Sequence, residues 1–257
     1  MALILSAVAD RIDHGTGSSL DNIDTGAVAT WIKLTTGTGY SALWQKGLAA
    51  SGFQLIGLND GSAGEIFFAK ATTSTNPSHV SVEEIAIGVW TFVGVTWDFS
   101  VDLDQLNIHI YLGDRSTPAV ESTYDGGAFG LGSLVSNAGR NAVVGNNEPG
   151  ANDFNGEIAN FKYWNRVLTL SDLIAQQYGA PVGAGCLLHT EYGINGTGTQ
   201  ADWSGNGNNG TVTGSAVSDH APIPKPFSRR EAVEWETTPG GITIPVASSY
   251  YRRRRAG

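Results

Sequence analysis

The chain has 257 residues, 41% of them hydrophobic and only 15% charged, with 34 glycines. That length needs no second globular domain, since one β-sandwich can use about 200 to 250 residues, and the low charge suits tight turns and polar strand faces. Residues 1–224 carry 8 Lys and Arg against 21 Asp and Glu, a net of -13, whereas 225–257 carry 7 against 3, a net of +4; the acidic body excludes free nucleic acid as its partner, because phosphate needs a basic face.

The opening Met1 to Ala9 is apolar and ends in Ala7-Val8-Ala9, which mimics a leader-cleavage site. No basic residue precedes the apolar run, so it reads as a first strand. Val28, Ile32 and Leu34 then fall on one face of an extended segment, followed by strands at Phe53 to Leu58 and Glu65 to Phe68. Trp90 to Trp97 is apolar on both faces and is predicted to be central in a sheet. Asn107 to Leu112 alternates cleanly, the pattern of a half-buried antiparallel strand. Ala142 to Val144 and Ile158 to Trp164 add two more. Asn59-Asp60-Gly61, Asp125-Gly126-Gly127 and Asn155-Gly156 are predicted turns. One helix of two turns is expected, capped by Ser171, with Asp172 in its first turn and Gly179 closing it. The lone Cys186 cannot form an internal disulfide and reads as a small core residue beside Leu187 and Leu188. No apolar run reaches about 18 residues, so no membrane span is expected. Composition changes after His220. Residues 1–220 form the expected sandwich, and 221–257 a Pro-rich linker, Ala221 to Pro226, leading into an extended C-terminal arm with an Arg-rich end.

Several segments carry a family likeness: Asp10 to Gly15, Ala29 to Lys33, Leu43 to Gly47, Trp90 to Trp97, Phe154 to Ile158, Tyr163 to Leu168 and Asp202 to Thr211. Read in order, they resemble the laminin-G-like group of concanavalin A-like lectin/glucanase domains. The resemblance implies an all-β antiparallel sandwich, or jelly roll. It does not fix function, because this fold hosts lectins, adhesion modules and hydrolases. Retaining glucanases of the class carry a Glu-x-Asp-x-x-Glu strand, which sets two carboxylates about 5 Å apart. This sequence has no such string, and a non-enzymatic protein is expected.

Calcium is the one cofactor the sequence admits. Asn146, Asn147 and Glu148, followed by Asp153, resemble the metal loop of pentraxins, but Ala49 to Gly52 lacks the acidic pair that pentraxins add; the other reading of the loop is a polar turn. The five His residues are dispersed, and most of them read as surface or turn residues. Trp31, Trp44, Trp90, Trp97 and Trp164 lie in hydrophobic strands and read mostly as core, while Trp203, in a turn-rich loop, is the candidate to stack on a sugar ring. In the arm, Ile242, Ile244 and Val246 alternate as an edge strand limited by Pro245, Trp235 offers an anchor, and Arg252, Arg253, Arg254 and Arg255 end the chain. These residues are the candidate assembly surface, toward sister copies or other virion proteins. The combination suggests a virion surface protein, a capsid decoration or fibre, assembled in a host cytoplasm and displaying a carbohydrate-binding sandwich. A free lectin module and, behind it, a glycoside hydrolase are the alternatives.

Overall fold

The structure is a computed structural model. It describes residues 1–36, 39–48, 52–58, 64–147, 150, 152–219 and 221–223, and the backbone of 233–237 and 243–247. The chain falls into two units, Met1–Ile223 and Pro224–Gly257.

The first unit is a two-layered antiparallel sandwich. Its strands in chain order are β1 (Ala2–Leu5), β2 (Arg11–Asp13), β3 (Thr25–Leu34), β4 (Ser41–Gly47), β5 (Phe53–Leu58), β6 (Glu65–Lys70), β7 (Ser78–Glu84), β8 (Trp90–Asp98), β9 (Ile108–Gly113), β10 (Val120–Glu121), β11 (Tyr124–Ala128), β12 (Ala142–Val144), β13 (Gly156–Trp164), β14 (Cys186–Thr190), β15 (Thr211–Thr213) and β16 (Ala216–Ser218). One sheet runs β10-β9-β8-β3-β13-β1-β16, with β14 beside β1 along β13; the other runs β11-β7-β6-β5-β4-β12-β2-β15. β15 and β16 extend different sheets, pairing with β2 and β1. The chain therefore closes the same flank of both layers with its first and its last sandwich strands. β10 and β11 bound the opposite flank.

Alternation fills the space between the sheets. Ile108 and Ile110 of β9 point inward and are fully buried, as are Val93 and Val95 of β8. An aromatic chain threads this interior. Phe99, Phe68, Trp97, Tyr163, Trp44, Phe161 and Tyr192 follow one another with ring centroids 5.0–6.4 Å apart, the range in which aromatic pairs attract. Trp31 and Trp164 are also buried, but under the helix, while Trp90 is partly exposed with the Lys33 ammonium 5.4 Å from its ring. Cys186 is a buried core residue, its thiol pushed up to about 11 by burial, and so an inert one.

The helix α1 (Leu170–Gln177) covers the outer face of the first sheet, where Gly94 leaves room for Leu173. Its cap is Thr169 and not Ser171. The Thr169 hydroxyl accepts from the Asp172 N–H at 3.1 Å while the Asp172 carboxylate accepts from the Thr169 N–H, a reciprocal capping box that Ser171, inside the first turn, cannot form. Gly179 closes the helix as expected: its N–H reaches Gln176 O and that of Ala180 reaches Ala175 O.

Two further expectations are corrected. Asp125-Gly126-Gly127 is not a turn but the middle of edge strand β11, where both glycines pair with β7 and a bulge at Asp125 takes up the extra residue. His14 and His79 are buried, not surface residues; each satisfies a ring nitrogen on a backbone carbonyl, Asn208 O at 2.8 Å and Ile108 O at 2.9 Å. The predicted turn Asn59-Asp60-Gly61 lies outside the described residues.

In the second unit, β17 (Val233–Thr237) pairs antiparallel with β18 (Thr243–Ala247), Trp235 opposite Pro245 and Glu236 opposite Ile244. Ile244 and Val246 thus lie in a strand whose partner belongs to the same chain. Ile242 and Arg252 to Arg255 lie outside the described residues. No helix among the described residues is long and apolar enough to cross a membrane.

Candidate functional site

On the flank closed by β2 and β15, side chains of both strands meet the ends of two loops. Arg11, Asp13, Asn141, Asn209, Thr211 and Thr213, with His14 and Gly15, line an open groove of about 380 Å³. The pleat explains the set. Arg11 and Asp13 alternate with core residue Ile12, and Thr213 and Thr211 are their cross-strand partners, so all four occupy one face. Asp13 is oriented by the Gly15 N–H on Oδ1 (2.7 Å) and the Asn141 amide on Oδ2 (3.3 Å). Arg11 makes no ion pair among the described residues.

His14 joins this groove to the interior. Its Nδ1 faces a carbonyl, which only accepts, so Nδ1 carries the proton and Nε2 accepts from the Tyr192 hydroxyl at 2.9 Å. Burial holds its pKa below the usual histidine range, so the ring is neutral. Gly210 makes the crossing above it feasible, since a Cβ there would fall 2.5 Å from Ile12 Cγ2 and 2.8 Å from His14 Cε1.

The loop that delivers Asn209 is built around Asp202. Its carboxylate accepts from the backbone N–H groups of His189, Ser204 and Asn208 at 2.9–3.0 Å and from the Ser204 hydroxyl at 2.8 Å. Burial would raise its pKa, but these donors hold it below the ordinary carboxylate value. Asn208, itself buried, reaches Leu187 O and Ser19. The oxygen-rich stretch Asp202 to Asn208 is therefore an internally satisfied scaffold. Trp203 stands on it 62% exposed, free to meet a ligand, but does not line the groove. Neighbouring His189 is pushed down to about 4, by burial first and then by the charge of Lys162.

The loop expected to hold calcium sits at the other end of β2. Asn146 is fully buried; its amide donates to Val8 O and Asp10 O, and its Oδ1 accepts from the N–H groups of Asn147 and Asn152. Both lone pairs of that oxygen are used, so Asn146 organises the rim and does not fit a calcium ligand. Asn147 is buried and Asp153 partly exposed, and Glu148 lies outside the described residues. Among the described residues no three His, Cys, Asp or Glu side chains converge on a metal position. The structure thus separates the two loops singled out in the sequence. What it assembles between them, Arg11, Asp13, Asn141, Thr211 and Thr213, sequence reasoning missed as a site, although the run Asp10 to Gly15 had been noticed for its family likeness. The polar residues of β2 alternating around a buried Ile12 were the available signal.

Two layers of antiparallel strands, one short covering helix and a polar flank groove define a lectin/glucanase-type sandwich. Residues 8–173 match the Laminin_G_3 family of the concanavalin A-like lectin/glucanases superfamily, and the chain belongs to that family. No curated protein matches it by sequence. Among solved structures it is similar to a Bacteroides ovatus protein to which carbohydrate binding is ascribed (15% identity, TM-score 0.61, 84% of this chain and 59% of that one). It is also similar to the heptameric SAP-like pentraxin of Limulus polyphemus (12% identity, TM-score 0.53, 84% of this chain and 94% of that one). The chain spans about three-fifths of the length of the first of these. At such identities the likeness establishes the fold.

Proposed function

We propose that the chain is a non-enzymatic carbohydrate-binding module and that the β2–β15 groove is its sugar site. One observation carries the reading: the groove presents a guanidinium, a carboxylate, amides and hydroxyls together, a mixed donor and acceptor set suited to vicinal sugar hydroxyls. Among the described residues Asp13 is the only carboxylate lining it, whereas glycoside hydrolysis needs two flanking the scissile bond. A glycan-array screen of the full chain, followed by calorimetry on the best ligand, tests this. Asp13→Ala and Arg11→Ala should each weaken binding about tenfold, the worth of one charge-assisted hydrogen bond. Unchanged affinity in both variants, or release of reducing ends from a polysaccharide that Asp13→Asn abolishes, would sink it.

The finer placement, a virion surface protein docked through residues 221–257, is supported by the charge contrast between an acidic body and a basic end.

A further inference from the structure

On the flank opposite the sugar groove, the chain steps from β10 in one sheet to β11 in the other and leaves a second depression. His79, Leu106, Ile108, His109, Glu121, Ser122, Thr123 and Tyr124 line a cavity of about 540 Å³. Its floor is fixed. The rings of His79 and Tyr124 stack with centroids 3.7 Å apart, and the Tyr124 hydroxyl accepts from the Ile110 N–H at 2.9 Å. A second carboxylate, Glu83, is wholly used in holding the crossing, accepting from Ser122 Oγ, Thr123 Oγ1 and the Thr123 N–H. Those donors hold its pKa below the ordinary value although burial opposes them, so it has no proton to give.

Glu121 differs. One oxygen, Oε1, accepts from both His109 Nδ1 (2.7 Å) and the Tyr124 hydroxyl (3.0 Å), which fixes the carboxylate in place. Oε2 has no partner among the described residues, and the side chain is 42% exposed. Beside it, Leu106 stands 66% exposed. The groove therefore couples an oriented, unsatisfied acceptor and a ring of hydroxyl and imidazole groups with an apolar platform. That combination meets the two surfaces of a pyranose, its hydroxyl rim and its C–H face.

We infer that this β9–β11 groove is a second site for neutral saccharides, which makes the module bivalent. The inference rests on the saccharide-binding reading of the chain but uses different residues. The two grooves flank one eight-stranded sheet, and seven strand spacings of about 4.8 Å put its edges about 34 Å apart. A short oligosaccharide occupies one groove at a time, while one polysaccharide chain could reach both and gain avidity.

The test is amide chemical-shift mapping of the full chain by NMR, titrated separately with cellohexaose, laminarihexaose, xylohexaose and mannohexaose. Saturable shifts at Leu106, His109 and Thr123 are expected with at least one of them. Glu121→Gln should weaken that set about tenfold and leave any shifts at Asn209 and Thr211 intact. Leu106→Ala, at an exposed position that cannot unfold the sandwich, should weaken it as well. Shifts confined to Asn209 and Thr211 would overturn the second site and leave the first standing. Shifts confined to the β9–β11 groove would support the second and remove the first. No saturable shift in either groove would overturn both.

Discussion

At the scale of residues, the sandwich keeps charged and titratable groups inside by giving each a specific partner. Lys46, fully buried, reaches Asp21 at 2.9 Å and Arg140 O at 2.7 Å, and Lys70 reaches Asp24 and Ile23 O. These two side chains tie the 21–24 segment to the second sheet, which explains why fully buried β4 and β6 each carry a lysine. The histidines are kept neutral instead, and this has a pH consequence. In the folded state His14 lies below its ordinary value of 6.5 and His189 is near 4. Above pH 6.5 neither folded nor unfolded chain is protonated at these sites. Below it the unfolded chain takes up protons that the folded one refuses, so both histidines make stability fall as pH drops below 6.5, and for His189 the loss continues toward 4 at up to about 1.4 kcal/mol per pH unit. The depressed carboxylates Asp172 and Asp202 titrate below this window. Calorimetry should give a melting temperature that declines between pH 7 and pH 5, with proton uptake on unfolding that His189→Asn reduces. A flat profile over that range would contradict the burial argument.

Elements were legible where their periodicity was undisturbed. β8 and β9 could be read directly, because one is apolar on both faces and the other alternates, and both sit inside the sheet with those faces covered. β11 was hidden because Gly126 and Gly127 look like a turn, and only the neighbouring β7 and a bulge make them strand. β2, β15 and β16 are three residues each, too short to carry a period, and exist through pairing between residues far apart in sequence; β12, equally short, was nevertheless read at Ala142 to Val144. The groove that β2 and β15 build was legible only in half: Arg11 and Asp13 alternate about Ile12, but Asp13 and Thr211 become neighbours only through that register. The helix end was missed by two residues because Thr169 and Ser171 are both good caps in isolation, and the reciprocal bond to Asp172 decides between them. Thr169→Ala should therefore cost about 1 kcal/mol and lower the melting temperature by about 2–4 °C, whereas Ser171→Ala should be nearly neutral. Equal effects of the two would place the cap elsewhere.

At the scale of the whole molecule, the split into Met1–Ile223 and Pro224–Gly257 makes the two units separable. Removing residues 228–257 should leave a cooperatively melting sandwich with its saccharide binding unchanged, because the described residues that line both grooves all belong to Met1–Ile223. If those residues are the docking device, the truncated protein should fail to self-associate or to join a particle at low salt, where attraction between the +4 end and the -13 body is least screened. Light scattering of both forms across ionic strength decides this, and equal association of the two would remove the docking role. The closure of both sheets by first and last strands also sets a timetable for synthesis. β1 finds its partner β13 only when residues 156–158 have been made, and its other neighbour β16 only at residues 216–218. At about 5–20 residues per second, the apolar Ala2 to Leu5 segment waits roughly 10–40 seconds before both its edges are paired. Throughout that interval a nascent sandwich exposes an unpaired strand on its forming flank, so crowded ribosomes on one message hold several copies of the same adhesive edge side by side. Expression of this fold should thus be limited less by the stability of the finished protein than by how long its beginning must wait for its end.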